Sequence, residues 1–164
     1  LRVLAGSRLL AERSTELLVP LVDAAPTEEQ QVFLTTQLVD AARHTVLYEL
    51  IGARLTEWGS GDSVATPDPA LEKLVTADLV DSTTRLHAAP RDEALFTAAV
   101  RLYHLTIEAA LIREQTSLVS ELEGLNVLPG LRAALIYVLR DGQRHLEFAG
   151  RFLADEGRTA PTAR

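Results

Sequence analysis

An all-α bundle of antiparallel helices, four long and one shorter, is the fold class this sequence predicts. Apolar residues recur at three- and four-residue steps along almost the whole chain, and no stretch alternates as a half-buried strand would. Proline, glycine and capping residues interrupt that pattern only at the ends of the periodic runs. The 164 residues, 47% of them hydrophobic, suffice for one domain with a core. Aromatics are only 5%, so that core must rest on Leu, Val, Ile and Ala.

The first helix is expected from Leu1 to Asp23, with Pro20 near its end. Pro26-Thr27-Glu28-Glu29-Gln30 opens the second. Thr27 stands at the N-cap and Gln30 at the third helical position, a capping box. That helix should run to about Trp58, followed by a flexible connection, Gly59-Ser60-Gly61-Asp62-Ser63. Pro67-Asp68-Pro69 begins a shorter helix reaching His87, and Pro90-Arg91-Asp92-Glu93 begins a fourth that extends to Glu123. Gly124 fits its C-cap, and Pro129 starts a fifth helix ending near Glu156. Residues 1–156 thus read as one helical domain, and residues 157–164 as a disordered tail.

Charge and composition exclude several function classes. The net charge is −7 and no basic stripe exists, so no nucleic-acid partner is expected. No uninterrupted apolar run approaches the roughly 18 residues of a membrane span, and no signal peptide is visible. No membrane partner is therefore expected, and a cytoplasmic location is the default. The absence of cysteine removes disulfides, thiolate metal sites and cysteine nucleophiles. Methionine is absent even at position 1, which predicts a processed chain or a fragment.

One ionisable cassette occurs twice. Asp40-Ala41-Ala42-Arg43-His44 and Asp141-Gly142-Gln143-Arg144-His145 share the pattern Asp-x-x-Arg-His. On the second helix Phe33, Gln37, Asp40, His44, Tyr48, Ile51 and Leu55 follow one helical stripe. Leu131, Leu135, Val138, Gly142, His145, Ala149 and Phe152 follow another on the fifth, with Asp141 beside it. On the fourth, Ala98, Leu102, Leu105, Glu108, Ile112, Val119 and Leu122 place Glu108 mid-stripe. A buried charge needs a partner or a shifted pKa, so these inward groups should meet one another. Arg43 and Arg144 should pair with acidic groups on neighbouring helices. Tyr48 and Tyr103 read as core aromatics, and His87 and His104 as surface or packing residues.

With "DAARH", "YHLTIEAALI", "GLNVLPGL" and "RDGQRH" in these places, the chain resembles the ferritin-like dimetal carboxylate proteins over nearly its whole length. The nearest likeness is to the small subunit of class I ribonucleotide reductase and to the ligand-binding oxidases. The family site takes one Glu from each of two helices and Glu-x-x-His from each of the other two. The resemblance implies that His44 and His145 match the ligand histidines and Glu108 the lone carboxylate of the fourth helix. Asp40 and Asp141 match the aspartates that orient those histidines. Tyr103 resembles the oxidases' ether-forming tyrosine, whose partner position falls near Ser14.

Three carboxylates of the pattern are missing: its glutamates fall on Ala11, Ala41 and Gly142, with Glu12 adjacent but turned around the helix. Two divalent ions need that negative charge, so an intact dimetal centre is not expected. The cofactor expected is none, or one weakly bound iron or manganese. The resemblance then implies a non-catalytic scaffold that binds a ligand or a partner, with a small apolar molecule in the bundle core. The alternative is an oxidoreductase using a single iron or manganese at His44, Glu108 and His145 for oxygen-dependent oxidation of a small molecule. In the metal-free reading, His44→Leu and His145→Leu should each be nearly tolerated. A homodimer, or a heterodimer with a paralogue, is expected through exposed apolar faces. Those are Val32, Leu34, Leu38 and Val39 on the second helix, and Val100, Leu102, Leu105, Ile107 and Leu111 on the fourth.

Overall fold

In a computed structural model the described residues are 2–57 and 66–159, with side chains to residue 154. The expected connection 59–63 and the last five residues of the expected tail lie outside them. The protein is all-α, with no strand among the described residues.

The expected first helix is two. α1 (Arg2–Leu17) stops at Leu18, and α2 (Val19–Ala24) follows. Pro20 is the cause, since it lacks the N–H for the next rung and its ring clashes with the carbonyl four residues back. α3 (Glu28–Glu57) begins with the capping box: Thr27 N–H donates to Gln30 Oε1 (3.2 Å), and Gln30 N–H to Thr27 Oγ1 (3.3 Å). α4 (Pro69–Lys73) is capped by Asp68, which accepts from the Ala70 and Leu71 N–H groups. A π-helical turn, Leu74–Asp78, joins it to α5 (Leu79–Ala88).

The fourth long helix is not uniform either. α6 (Glu93–Val100) passes through a π-helical segment, Arg101–Glu108, into α7 (Ala109–Gly124). Wider turns rotate the face that looks inward, so a stripe extrapolated in α-helical steps from Glu108 goes wrong upstream. Ala98 is exposed and Leu105 is 42% exposed, while Tyr103 and His104 are buried in their place. Gly124 is the last helical residue, not the cap. The left-handed residues are Asn126 (φ 51°) and Leu128 (φ 48°), with Asn126 N–H donating to the Glu123 carbonyl and Val127 N–H to that of Leu122, a Schellman closure. α8 (Pro129–Thr159) continues three residues past its expected end.

α1 packs on α3 and α7, and α8 packs on α3 and α7, closing a four-membered ring. Residue numbers run oppositely across each seam. Ser7 and Ser14 meet Gln115 and Tyr103, Ile112 and Glu108 meet Gly142 and His145, and Phe33 and Asp40 meet Phe148 and Arg144. The neighbours are therefore antiparallel. α5 lies against α2 and α6. Leu21, Leu34, Leu86 and Phe96 form an apolar cluster at one end, with Phe96 and Phe152 edge to face at 5.2 Å. Leu4, Tyr48, Leu122 and Leu135 form another at the opposite end.

Leu34, Val100, Ile107 and Leu111, expected to face a partner, are buried within the chain. The continuous rod Glu93–Gly124 also has the length and mean hydropathy (1.4) of a membrane span, contrary to expectation. It reaches that average with charges interspersed, and here its inner face is a wall of the core.

Candidate functional site

The two cassettes meet across the α3–α8 seam, and they meet crosswise. His145 Nε2 donates to Asp40 of the first cassette (3.2 Å), and His44 Nε2 to Asp141 of the second (3.1 Å). Arg43 donates to Asp40 (2.5 Å) and Asp141 (3.0 Å), and Arg144 to Asp141 (3.2 Å) and Asp40. Each aspartate thus holds the other helix's histidine and both arginines. The repetition in sequence is an approximate two-fold in space.

That symmetry ends one shell further in. His145 Nδ1 donates to Glu108 Oε1 at 2.7 Å. On the His44 side, α1 lines the shared cavity with Ser7, Leu10, Ala11 and Ser14, none of them a carboxylate. His44 Nδ1 accordingly makes no hydrogen bond. The two histidines titrate apart for this reason. Burial would depress His145, but the hydrogen bonds and charges of Glu108 and then Asp40 outweigh it and raise its pKa. For His44, burial wins over the single aspartate and the pKa falls. His145 is an imidazolium between two carboxylates, and His44 is a neutral ring.

The charges balance. Asp40, Asp141 and Glu108 face His145, Arg43 and Arg144, three against three. The anions are buried deeply, with side-chain exposures of 7%, 16% and 12%, whereas Arg43 and Arg144 are 60% and 49% exposed.

Beside this network lies a cavity walled by all four ring helices. Ala11, Ala41 and Gly142 line it together with His44, Glu108 and His145. The space belonging to residue 142 has been taken. A Cβ there would sit 2.7 Å from Ile112 Cδ1 and 3.8 Å from Glu108 Oε1. Gly142 costs about 1 kcal/mol of helix propensity relative to Ala, offset by this close approach of α7. Glu12, the nearest acidic residue on α1, instead pairs with Arg8 at 2.6 Å on the outside.

Tyr103 and Ser14 hydroxyls lie 2.6 Å apart. Burial, and secondarily the charge of Glu108, raises the Tyr103 pKa. Burial pushes Tyr48 up to about 12. Sequence reasoning missed Gln115 and left His104 between a surface and a packing role. His104 is fully buried, donates from Nδ1 to the Val100 carbonyl (3.0 Å), and holds the Gln37 amide at Nε2 (3.0 Å). Burial lowers its pKa. Gln115 donates to Ser7 (2.7 Å) and Tyr48 (3.0 Å). The signal for Gln115 was available, since it lies two turns beyond Glu108 between Ile112 and Val119. His87 is exposed.

The donor set does not suit a dimetal centre. Glu108 is the single carboxylate on the cavity wall, and His145 already spends both ring nitrogens on carboxylates. Among the described residues no three His, Asp or Glu side chains converge as metal ligands would. Comparisons with family models, with curated proteins and with solved structures return no match.

Proposed function

We propose that this chain is a ferritin-like bundle of the reductase small-subunit and ligand-binding oxidase lineage whose dimetal centre has degenerated. In this reading it acts as a non-catalytic scaffold that binds a small ligand in the bundle core and pairs through its outer helices. One observation carries the reading. The three positions where the family pattern requires glutamate, Ala11, Ala41 and Gly142, come from three helices and line the same cavity as His44, Glu108 and His145. A self-neutralised ion network beside them replaces the charge that two metal ions would bring.

The reading predicts less than one transition-metal ion per chain after purification without chelators and dialysis. Elemental analysis checks it, and two irons or manganeses retained per chain would overturn it. The single-metal oxidoreductase is the second reading, favoured by the presence of His44, His145 and Glu108 around one cavity. It requires Glu108 to exchange its bond to His145 for a bond to metal, and one tightly held ion per chain would favour it.

Pairing is proposed through α3. Val32, Val39 and Val46 recur at seven-residue steps and are 58%, 58% and 55% exposed, with Leu50 at 60% continuing the stripe. Light scattering should give twice the 17.9 kDa chain mass, or one chain of each kind with a coexpressed paralogue. Val39→Glu with Val46→Glu should return it to a monomer. A wild-type monomer at every concentration would remove this part of the proposal.

A further inference from the structure

We propose that the central cavity is a receptor for a small primary ammonium ion, of the size of methylammonium or ethylammonium. The proposal rests on the metal-free reading above and names the ligand class of that site. The cavity leaves about 40 Å³ for the centres of water-sized bodies. At roughly 10–15 Å³ for each such body, that is room for about three non-hydrogen atoms.

Most donors on its wall are already spent. The Ser7 hydroxyl donates to the Val3 carbonyl, and the Ser14 hydroxyl to the Leu10 carbonyl. Tyr103 must then be the donor in its bond to Ser14, and Tyr48 accepts from Gln115. The Gln115 amide gives its two hydrogens to Ser7 and Tyr48. What remains is acceptors. Glu108 Oε2 and Gln115 Oε1 are buried without any partner. His44, neutral and donating from Nε2 to Asp141, keeps the Nδ1 lone pair. The Gln37 amide is engaged at both ends, by His104 Nε2 (3.0 Å) and by the Tyr103 hydroxyl. A buried carboxylate oxygen and an amide oxygen left unmet are costly, so the occupant must bring several N–H or O–H donors.

Charge selects among donors. Glu108 is the carboxylate on the cavity wall, and with His145 held at Oε1 its Oε2 stays without a partner, where a charged donor makes a stronger bond than a neutral one. The cavity therefore favours a cation. An ammonium group supplies three directed donors and one positive charge, and the apolar wall of Leu10, Ala41 and Val138 accommodates a one- or two-carbon tail.

The test is a thermal melt of the full chain titrated with methylammonium chloride, against sodium chloride and ethanol at matched concentrations. The expected result is a saturable rise specific to methylammonium, about 4 °C at ten times the dissociation constant. Glu108→Gln, compared with its own sodium chloride baseline, should lose that rise. Should that variant not fold, the His44 ring ¹⁵N signals of the wild type should move during the same titration. An equal rise with ethanol or sodium chloride overturns the cation site, and so does no response to methylammonium. Neither outcome touches the metal-free reading. A tight, stoichiometric stabilisation by Fe(II) that abolishes the methylammonium response overturns both.

Discussion

His145→Leu should destabilise the protein by about 3–5 kcal/mol, whereas His44→Leu should cost roughly 1 kcal/mol. His145 is an imidazolium with both nitrogens on buried carboxylates, Glu108 at 2.7 Å and Asp40 at 3.2 Å. Leucine there leaves Glu108 with no partner at all, since its Oε2 is already unmet. His44 is neutral, and Asp141 keeps Arg43 and Arg144 when it goes. The expected outcome therefore differs from the sequence reading, in which both substitutions are nearly tolerated. For a chain of this length the larger loss is a fall of about 10 °C in melting temperature. Equal melting temperatures for the two variants would mean that Glu108 does not depend on His145.

The same pair has a pH signature. The folded pKa of His145 is raised, so its contribution is fully present below the unfolded pKa of about 6.5 and is lost as pH rises through the folded value. The destabilisation of His145→Gln relative to wild type should therefore shrink towards alkaline pH. His44 and His104 have lowered pKa values, so the native state loses stability as pH falls below about 6.5, where the unfolded chain binds those protons. Burial is the largest cause of both shifts and acts in wild type and variant alike, while the smaller contribution of the His145 charge is lost in the variant. A penalty that grows with pH would place the proton elsewhere.

Ala11→Glu, Ala41→Glu and Gly142→Glu combined should make the metal-free protein at least about 4 kcal/mol less stable, and Fe(II) or Mn(II) should restore it. The three positions line one cavity, so the new carboxylates would crowd Glu108 with His44 and His145 as their candidate partners. Metal bound only by the folded state stabilises it by mass action. Glutamate at 142 must displace Ile112, whose Cδ1 would lie 2.7 Å from the new Cβ, so the set is best made with Ile112→Ala as well. Melting temperatures measured anaerobically with and without metal decide the matter. A mutant indifferent to metal would show that the three positions do not converge as the family pattern requires.

The sequence by itself determined what is local or periodic. The all-helical class, the capping box at Thr27 and Gln30 and the helix start at Asp68 need only nearest neighbours along the chain. The inward stripes of α3 and α8 were legible because those helices keep one winding, so Asp40, Tyr48 and His145 could be placed by counting. The repeated cassette announced a shared polar centre because buried charges must find partners.

Tertiary structure decided the rest. The π-helical segment Arg101–Glu108 moved the buried face of the fourth helix, a change of winding that three- and four-residue counting cannot register. Pro20 broke the first helix inside an apolar run that counting had carried through it. Gly142 turned out to be filled by Ile112, a contact between residues 30 positions apart. Most consequential, the histidines of two cassettes with one pattern acquired opposite pKa shifts. Their Asp, Arg and His are the same, and the difference lies in the partners of each histidine: His145 has Glu108 at its second ring nitrogen, and His44 has no such carboxylate. A pKa is set by the field and solvation at one point in space, and only the fold decides which residues share that point.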